Sequence, residues 1–448
     1  MARFVAVDRD TEFLFPPSVQ EWLPKDHLAR FVVDVVEQLD LSELEQSYAG
    51  RGSDAHHPAM LVALLLYGYA TGTFSSRALE RASYDSIAFR YVTANTHPDH
   101  DTINSFRKRF LKQIEAIFVQ VLGCAQELGM LKLGTVSLDG TKVHANASRH
   151  SAMSYGHAKK LEAKLKAEVA ELLKRAEAAN AKDLPEGMNL PEELSRRAER
   201  LAAIAAAKAK IEARVKAEAE AAYAAKLAAR EQRAQKSGKR PGGRPPAPPS
   251  GLPSDKDQVN FTDEDSRIMP VPGGGFEQAY NAQAAVDTDS LLVVATGLTQ
   301  TTNDKQQVVP MLDQLQTLPA GLGRVKRLLA DTGYASEDNV NACAKAKITP
   351  LIALGREAHH GSPFDRFAEP APLPAKPTPV AAMRHRLQTR RGRKLYALRK
   401  CTVEPVFGLI KHVMKFRQFL LRGLANARGE WSLVCLAWNL KRMNALGA

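Results

Sequence analysis

In Gly134-Thr-Val-Ser-Leu-Asp139-Gly-Thr-Lys-Val-His144 a short, largely apolar run ends on a carboxylate, Asp139. The residues leading to Asp139 suit a buried strand, and an ionised aspartate in such a place is costly unless something pairs with it. Arg327-Leu-Leu-Ala-Asp331-Thr-Gly-Tyr334 repeats the pattern. A third carboxylate, Glu404 in Val403-Glu-Pro-Val-Phe-Gly408, closes a basic stretch and opens an apolar run with helical spacing (Phe407, Ile410, Met414). Magnesium, which takes a few carboxylate oxygens together with water and substrate phosphate, is the natural partner of such a set. Two such ions about 3.5–4 Å apart activate a nucleophile, stabilise phosphorane charge and assist the leaving oxygen. The three carboxylates therefore predict metal-assisted phosphodiester chemistry, with Asp139, Asp331 and Glu404 as both catalytic and metal-holding residues. Taken singly, each is an ordinary cap or turn residue; their flanking sequences, weighed together, argue otherwise. Only a fold that lays the two aspartate strands side by side can join them, with Glu404 reaching in from a helix.

The composition suits a polyanionic partner. Over 448 residues Lys and Arg number 62 against 49 Asp and Glu, a net charge of +13, which favours nucleic acid or an anionic membrane surface. Membrane attachment finds little support: residues 1–10 hold no apolar signal core, and the longest apolar run, Leu61 to Ala70, is too short to span a bilayer. Cys124, Cys343, Cys401 and Cys435 form no CxxC pair and read as reduced thiols of a cytoplasmic protein. The length predicts two to four domains.

Residues 1–130 read as a helical domain, with apolar helical spacing in 26–39, 60–69, 75–82 and 101–110. Its exposed Arg and Lys suit a helix-turn-helix-like DNA-binding unit. Residues 131–156 hold the Asp139 strand. From 157 to 236 the chain is dominated by Ala, Glu, Lys, Arg and Leu, strong helix formers, and a break at Asp183-Leu-Pro-Glu-Gly-Met-Asn-Leu-Pro191 makes it a long helical hairpin. Pro-rich residues 237–260 read as a linker. In 261–448 a β-hairpin (278–286 and 291–296), a helix that Asn303 and Asp304 can cap, the Asp331 strand, a strand at 348–354 and C-terminal helices follow. The fold class is mixed α/β, a sheet interrupted by a helical insertion.

Seven segments carry a resemblance. They are Phe13-Leu-Phe-Pro-Pro-Ser-Val-Gln-Glu-Trp-Leu-Pro24, Tyr67-Gly-Tyr-Ala-Thr-Gly-Thr-Phe-Ser-Ser-Arg77, His97-Pro-Asp-His-Asp-Thr-Ile103 and Asp139-Gly-Thr-Lys-Val-His-Ala-Asn-Ala-Ser148. The others are Tyr280-Asn-Ala-Gln-Ala-Ala-Val-Asp287, Ala330-Asp-Thr-Gly-Tyr334 and Val403-Glu-Pro-Val-Phe-Gly-Leu-Ile-Lys411. With these the chain resembles bacterial insertion-sequence transposases of the DDE type, over nearly its whole length apart from the hairpin and linker. The resemblance implies a ribonuclease H-like core in which Asp139, Asp331 and Glu404 bind two magnesium ions, with manganese as a substitute. It also implies an N-terminal domain that recognises the terminal inverted repeats in double-stranded DNA, joining of a 3′-hydroxyl to target DNA, and a homodimer or higher oligomer. One departure stands out. The family's Tyr-x2-Arg-x3-Glu-x6-Lys signature keeps its Glu404–Lys411 spacing, but Tyr396-Ala-Leu-Arg399 lies one residue too far from Glu404. The departure falls on Tyr396 and Arg399 rather than on Glu404.

Arg384 to Lys400 carries eight basic residues and no acid. Most exposed faces mix signs, so Arg390, Arg391, Arg393, Arg399 and Lys400, with Lys411 beyond, are expected at DNA phosphates. Lys142 and His144 flank Asp139 and are candidates to touch the scissile phosphate. His97, His100 and Asp101 read as a loop-to-helix turn rather than a zinc site, and Trp431 and Trp438, seven apart, as core. The rivals to transposition are a metal-dependent nuclease of the same fold without strand transfer and an inactive DNA-binding repressor.

Overall fold

The computed structural model describes residues 18–48, 55–178, 190–237, 244–271, 273–355 and 368–447. Residues 13–17 of the first quoted segment lie outside them. Two compact units divide the chain: residues 1–144 with 280–448, and residues 145–279.

The first unit begins with seven helices: α1 (Leu28–Glu37), α2 (Ser42–Gln46), α3 (Pro58–Thr71), α4 (Ser76–Asp85), α5 (Ile87–Val92), α6 (His100–Phe110) and α7 (Ile114–Glu127). Pro58 opens α3 at a first-turn position, where its missing N–H costs nothing. Ser75 caps α4, and Asp99 caps α6 by accepting from Asp101 N and Thr102 N. The helix thus begins one residue ahead of the expected 101. His97 Nδ1 pairs with Ser83 Oγ and His100 Nδ1 with Glu80 Oε2.

β1 (Leu133–His144) then enters the sheet. Its neighbours are β5 (Phe276–Asp287) and β7 (Gly323–Ala330); β6 (Val293–Thr299) pairs with β5, and β8 (Thr349–Ile352) with β7, giving the order β6-β5-β1-β7-β8. β1, β7 and β8 are parallel, while β5 and β6 are antiparallel. Opposite running of β1 and β5 follows from their bonds. Thr288 N donates to Thr135 O and Ala145 N to Gln278 O, so residue numbers fall on one strand as they rise on the other. Val136, Leu138, Leu328, Leu329 and Ala330 are wholly buried, as central strands covered on both faces require.

α10 (Val308–Thr317) and α11 (Glu337–Lys345) connect the later strands, and α12 (Pro379–Gln388), α13 (Arg390–Ala397), α14 (Val403–His412) and α15 (Leu424–Gly447) end the chain. α15 contacts α3 and α7 as well as β6. Trp431 and Trp438 are core, as expected, and their indole N–H groups donate to Gln283 O and Leu291 O. Among the described residues no single helix is long and apolar enough to cross a membrane.

In the second unit β2 (Ala152–Ser154) pairs antiparallel with β3 (Gln258–Asn260), and β4 (Arg267–Pro270) with the first residues of β5. α8 (Tyr155–Ala178) and α9 (Leu190–Ser237) form the helical hairpin. Arg197–Glu168, Lys208–Glu162 and Tyr155–Glu212 link the arms in antiparallel order, over a seam of Ala158, Leu165 and Ile204. The helix break at 183–191 lies mostly outside the described residues. Arg230 donates to Arg244 O, and Gly251 lies beside Lys216. The Pro-rich residues 244–251 therefore run back along α9. At ~3.1 Å per residue they span about 22 Å, matching about 21 Å for the 14 helical residues they pass.

Candidate active site

Parallel pairing sets Leu138 against Ala330, the last rung before the two aspartates, so Asp139 and Asp331 emerge side by side. Asp331 caps the short turn Thr332–Tyr334 by accepting from Gly333 N at 2.8 Å. Asp139 Oδ1 accepts from Gly140 N at 2.8 Å. Its carboxyl is pushed up to about 6, by burial first; the Gly140 N–H opposes this, the charge of Asp331 adds to it, Arg399 opposes and Asp304 adds.

Glu404 sits in the first turn of α14 and is about half exposed (49%). What ties it to Asp139 is Arg399. One terminal nitrogen of that guanidinium donates to Asp139 Oδ2 at 3.1 Å and the other to Glu404 Oε1 at 2.7 Å. The side chain is 12% exposed, and its Nε is buried without a partner. The residue that breaks the signature spacing is absorbed by a 3-10 turn, Leu398–Cys401, between α13 and α14. A fork of this kind reaches two carboxylates at once, which an ammonium does not.

Asp304 is the residue that sequence reasoning missed. It does not cap α10, whose first turn has no side-chain cap at all. Its Oδ1 instead accepts from Asn281 Nδ2 and Gln283 Nε2, both at 2.7 Å. Asn281 and Gln283 are wholly buried on β5, and Gln283 Oε1 accepts from the Tyr334 hydroxyl. Gly140 is required at this point: a Cβ there would run into Gln283 Nε2 and approach Asp304 Oδ1 to 2.7 Å and Asn281 Oδ1 to 2.9 Å. Two buried amides in a strand of small apolar residues were the available signal, since such groups must find polar partners.

The basic residues divide. Arg390, Arg391 and Lys400 are exposed. Arg393 donates to Ala368 O at 3.3 Å and to Gln388 O, Arg386 to Pro350 O at 3.1 Å, and Arg399 is engaged as above. Lys411 turns inward, its Nζ donating to Thr141 Oγ1 at 2.5 Å and Lys142 O at 2.8 Å. Burial holds the Lys142 amine below its usual range, against the charges of Asp304 and Asp139. The structure thus brings Asp139, Asp331, Glu404, Arg399, Lys142 and Lys411 into one region of the sheet's end, whereas Arg390, Arg391 and Lys400 contact none of the three carboxylates. His144 lies on β1 beyond Lys142, its backbone bonded to Arg417 O and Phe419 N.

Among the described residues no three His, Cys, Asp or Glu side chains are grouped so as to hold a metal ion. The donor chemistry nonetheless suits one. Every acidic group here is a hard carboxylate oxygen donor, the class that magnesium and manganese take, and Arg399 places one positive charge between Asp139 and Glu404.

Two family models match the chain: "Transposase domain (DUF772)" over residues 17–109 and "Transposase DDE domain" over residues 260–440. The second contains Asp304, Asp331 and Glu404, and Asp139 falls between the two. No curated protein and no solved structure matches the chain.

Proposed function

This chain belongs to the insertion-sequence transposases of the DDE type, and on that premise we propose that it cuts phosphodiesters at the ends of its element and joins the freed 3′-hydroxyl to target DNA. The observation that carries this reading is the Leu138–Ala330 rung, which delivers Asp139 and Asp331 together at the ends of two parallel strands. The strand order β6-β5-β1-β7-β8, with β5 alone running opposite to the other four, supports a ribonuclease H-like core.

Asp139, Asp331 and Glu404 are the residues that would hold the divalent ions typical of this family, magnesium with manganese as a substitute. Bound there, such ions supply the positive charge that the attacking and leaving oxygens of a phosphodiester need. Asp139 and Asp331 are fixed by backbone N–H groups, so their carboxylates are oriented before substrate arrives. Glu404 hangs from Arg399 on a helix and is free to adjust. Lys142 adds cationic charge near Asp139, and Lys411 adds more beside Lys142, a pair suited to holding the phosphate that carries the scissile bond. The exposed Arg390, Arg391 and Lys400 bind backbone phosphates and position the duplex without reading it. The N-terminal helices recognise the terminal inverted repeats, and the protein acts on them as a homodimer or higher oligomer.

The test uses labelled end DNA with Asp139→Asn, Asp331→Asn and Glu404→Gln. Each variant abolishes cleavage and strand transfer while retaining end binding, and no double variant is much worse than a single one, because residues acting as a unit are non-additive. Near-normal strand transfer by Glu404→Gln would remove Glu404 from the set. Retention by all three would overturn the reading.

A further inference from the structure

We propose that the exposed face of α4 holds the end of a DNA strand, with Arg77 and Arg81 on its phosphates and a terminal or unpaired base stacked on Tyr84. The inference rests on the transposase reading given above and names a DNA feature, and the residues that take it, which that reading leaves open.

Helical spacing sets the face. At 3.6 residues per turn, positions 77, 81 and 84 fall within about 60° of one another around α4. All three side chains are exposed, Tyr84 by 56%. Leu79 and Ser83 take the opposite, buried side. With Glu80 of the same helix and His100 at the start of α6, the three line an open hollow of about 320 Å3. That is room at the lower end of small-ligand sites, which begin at about 300 Å3.

The Tyr84 ring is held in place. His97, in the turn that leads to α6, stacks on it with 3.8 Å between ring centroids and 13° between planes. His97 Nδ1 is fixed in turn by Ser83 Oγ at 3.1 Å, and Ser83 is wholly buried. One face of Tyr84 is therefore covered, and the exposure of the side chain leaves the other open. Two rings already stacked are a platform that a base can extend. A base inside a duplex has neighbours on both faces, so only one at a strand end, or turned out of its helix, can do so.

Charge supplies the rest. Arg77 and Arg81 form no ion pair among the described residues, and the one carboxylate in the hollow, Glu80, is engaged by His100 Nδ1 at 2.8 Å. Elsewhere in these helices arginines cover the aromatic rings, Arg90 over Trp22 at 4.9 Å and Arg109 over Tyr48 at 4.7 Å. Tyr84 has no such cover, and its two neighbouring guanidiniums, one helical turn apart, are left for an anion. Cations beside an aromatic platform are how single-stranded nucleic acid is held without regard to sequence.

The full-length protein is mixed, in EDTA so that nothing is cut, with fluorescein-labelled oligothymidylate or an abasic strand of the same length, and binding is read by fluorescence anisotropy. Tyr84→Ala is expected to weaken oligothymidylate binding about tenfold and to leave the abasic strand unchanged. Tyr84→Phe binds both strands as wild type does. Replacing Arg77 and Arg81 with Ala flattens the slope of log K against log salt by about 1.4, at about 0.7 for each phosphate of a single strand. Wild-type affinity of Tyr84→Ala for oligothymidylate, or an equal loss on the abasic strand, overturns the proposal. So does an equal loss on covalently closed circular duplex, which has no strand end. If Tyr84→Ala does not fold, as read by circular dichroism, the arginine pair decides, and an unchanged salt slope overturns the proposal. Wild-type protein that binds neither single strands nor duplex overturns the underlying transposase reading instead.

Discussion

Tyr69, in the third helix, donates a 2.7 Å hydrogen bond to Glu430, 361 residues later in the last. Glu430 is wholly buried and also accepts from Leu420 N and Leu421 N at 3.0 Å each. Burial raises its carboxyl above the usual range, with those bonds and the Arg107 charge opposing. Glu430→Ala strands three buried donors and is expected to cost about 3 kcal/mol or more. Glu430→Gln keeps an acceptor and costs less. Urea denaturation of the two variants gives the difference.

Asp139 carries a pH signature. Its folded carboxyl titrates near 6, above the 3.8 of an exposed aspartate. The folded state therefore holds the proton more tightly than the unfolded one. The stabilisation this gives is complete below about pH 4 and is lost as pH rises through 6, by about 3 kcal/mol at most. Asp139→Asn removes the titration, so its stability relative to wild type rises across that window. Denaturation curves from pH 4 to 7 check the sign.

Gly140→Ala places a methyl group among Gln283, Asp304 and Asn281. Overpacking of this kind costs typically about 1–3 kcal/mol. Because the Gly140 N–H also holds the Asp139 carboxylate, cleavage should fall further than stability does. Cleavage measured well below the melting midpoint separates the two effects.

In the basic run, replacing Arg390 and Arg391 with Ala should weaken binding to specific and random duplexes alike. Removing one phosphate-neutralising side chain flattens the slope of log K against log salt by about 0.9. Arg393→Ala should act mainly on stability, since its guanidinium bonds backbone carbonyls at Ala368 and Gln388. An unchanged salt slope in the Arg390/Arg391 pair would make that face mere solvated surface.

Arg399→Ala leaves Asp139 and Glu404 without their shared cation. The loss is expected to cost about 2 kcal/mol, and added Mg2+ should recover part of it by mass action. Thermal melts with and without Mg2+ provide the check.

The legible parts of the sequence were those with a strong local signal. Both aspartates follow short buried apolar stretches, Val136 and Leu138 on one strand and Leu328, Leu329 and Ala330 on the other, and Phe407 and Ile410 mark the buried side of α14. Asp304 was illegible because Asn-Asp ahead of an apolar run has the pattern of a helix cap. Only the tertiary pairing with Asn281 and Gln283 redirects it. Lys411 was expected at DNA phosphate, and nothing in the sequence showed that its amine would bond Thr141 and a carbonyl on β1. The Arg399 fork depended on a 3-10 turn whose extra residue looked, in the sequence, like a broken motif.

The second unit departs from one strand and returns on its neighbour: β1 ends at His144, Ala145 bonds back to Gln278, and β5 resumes at once. Topologically, residues 145–279 replace what a plain β-hairpin turn would do. Closing the ends of a long segment costs only slightly more than closing a short one. Because β4 and the first rungs of β5 lie within that segment, the part free to change in length is the α8–α9 hairpin, whose seam of Ala158, Leu165 and Ile204 closes on itself.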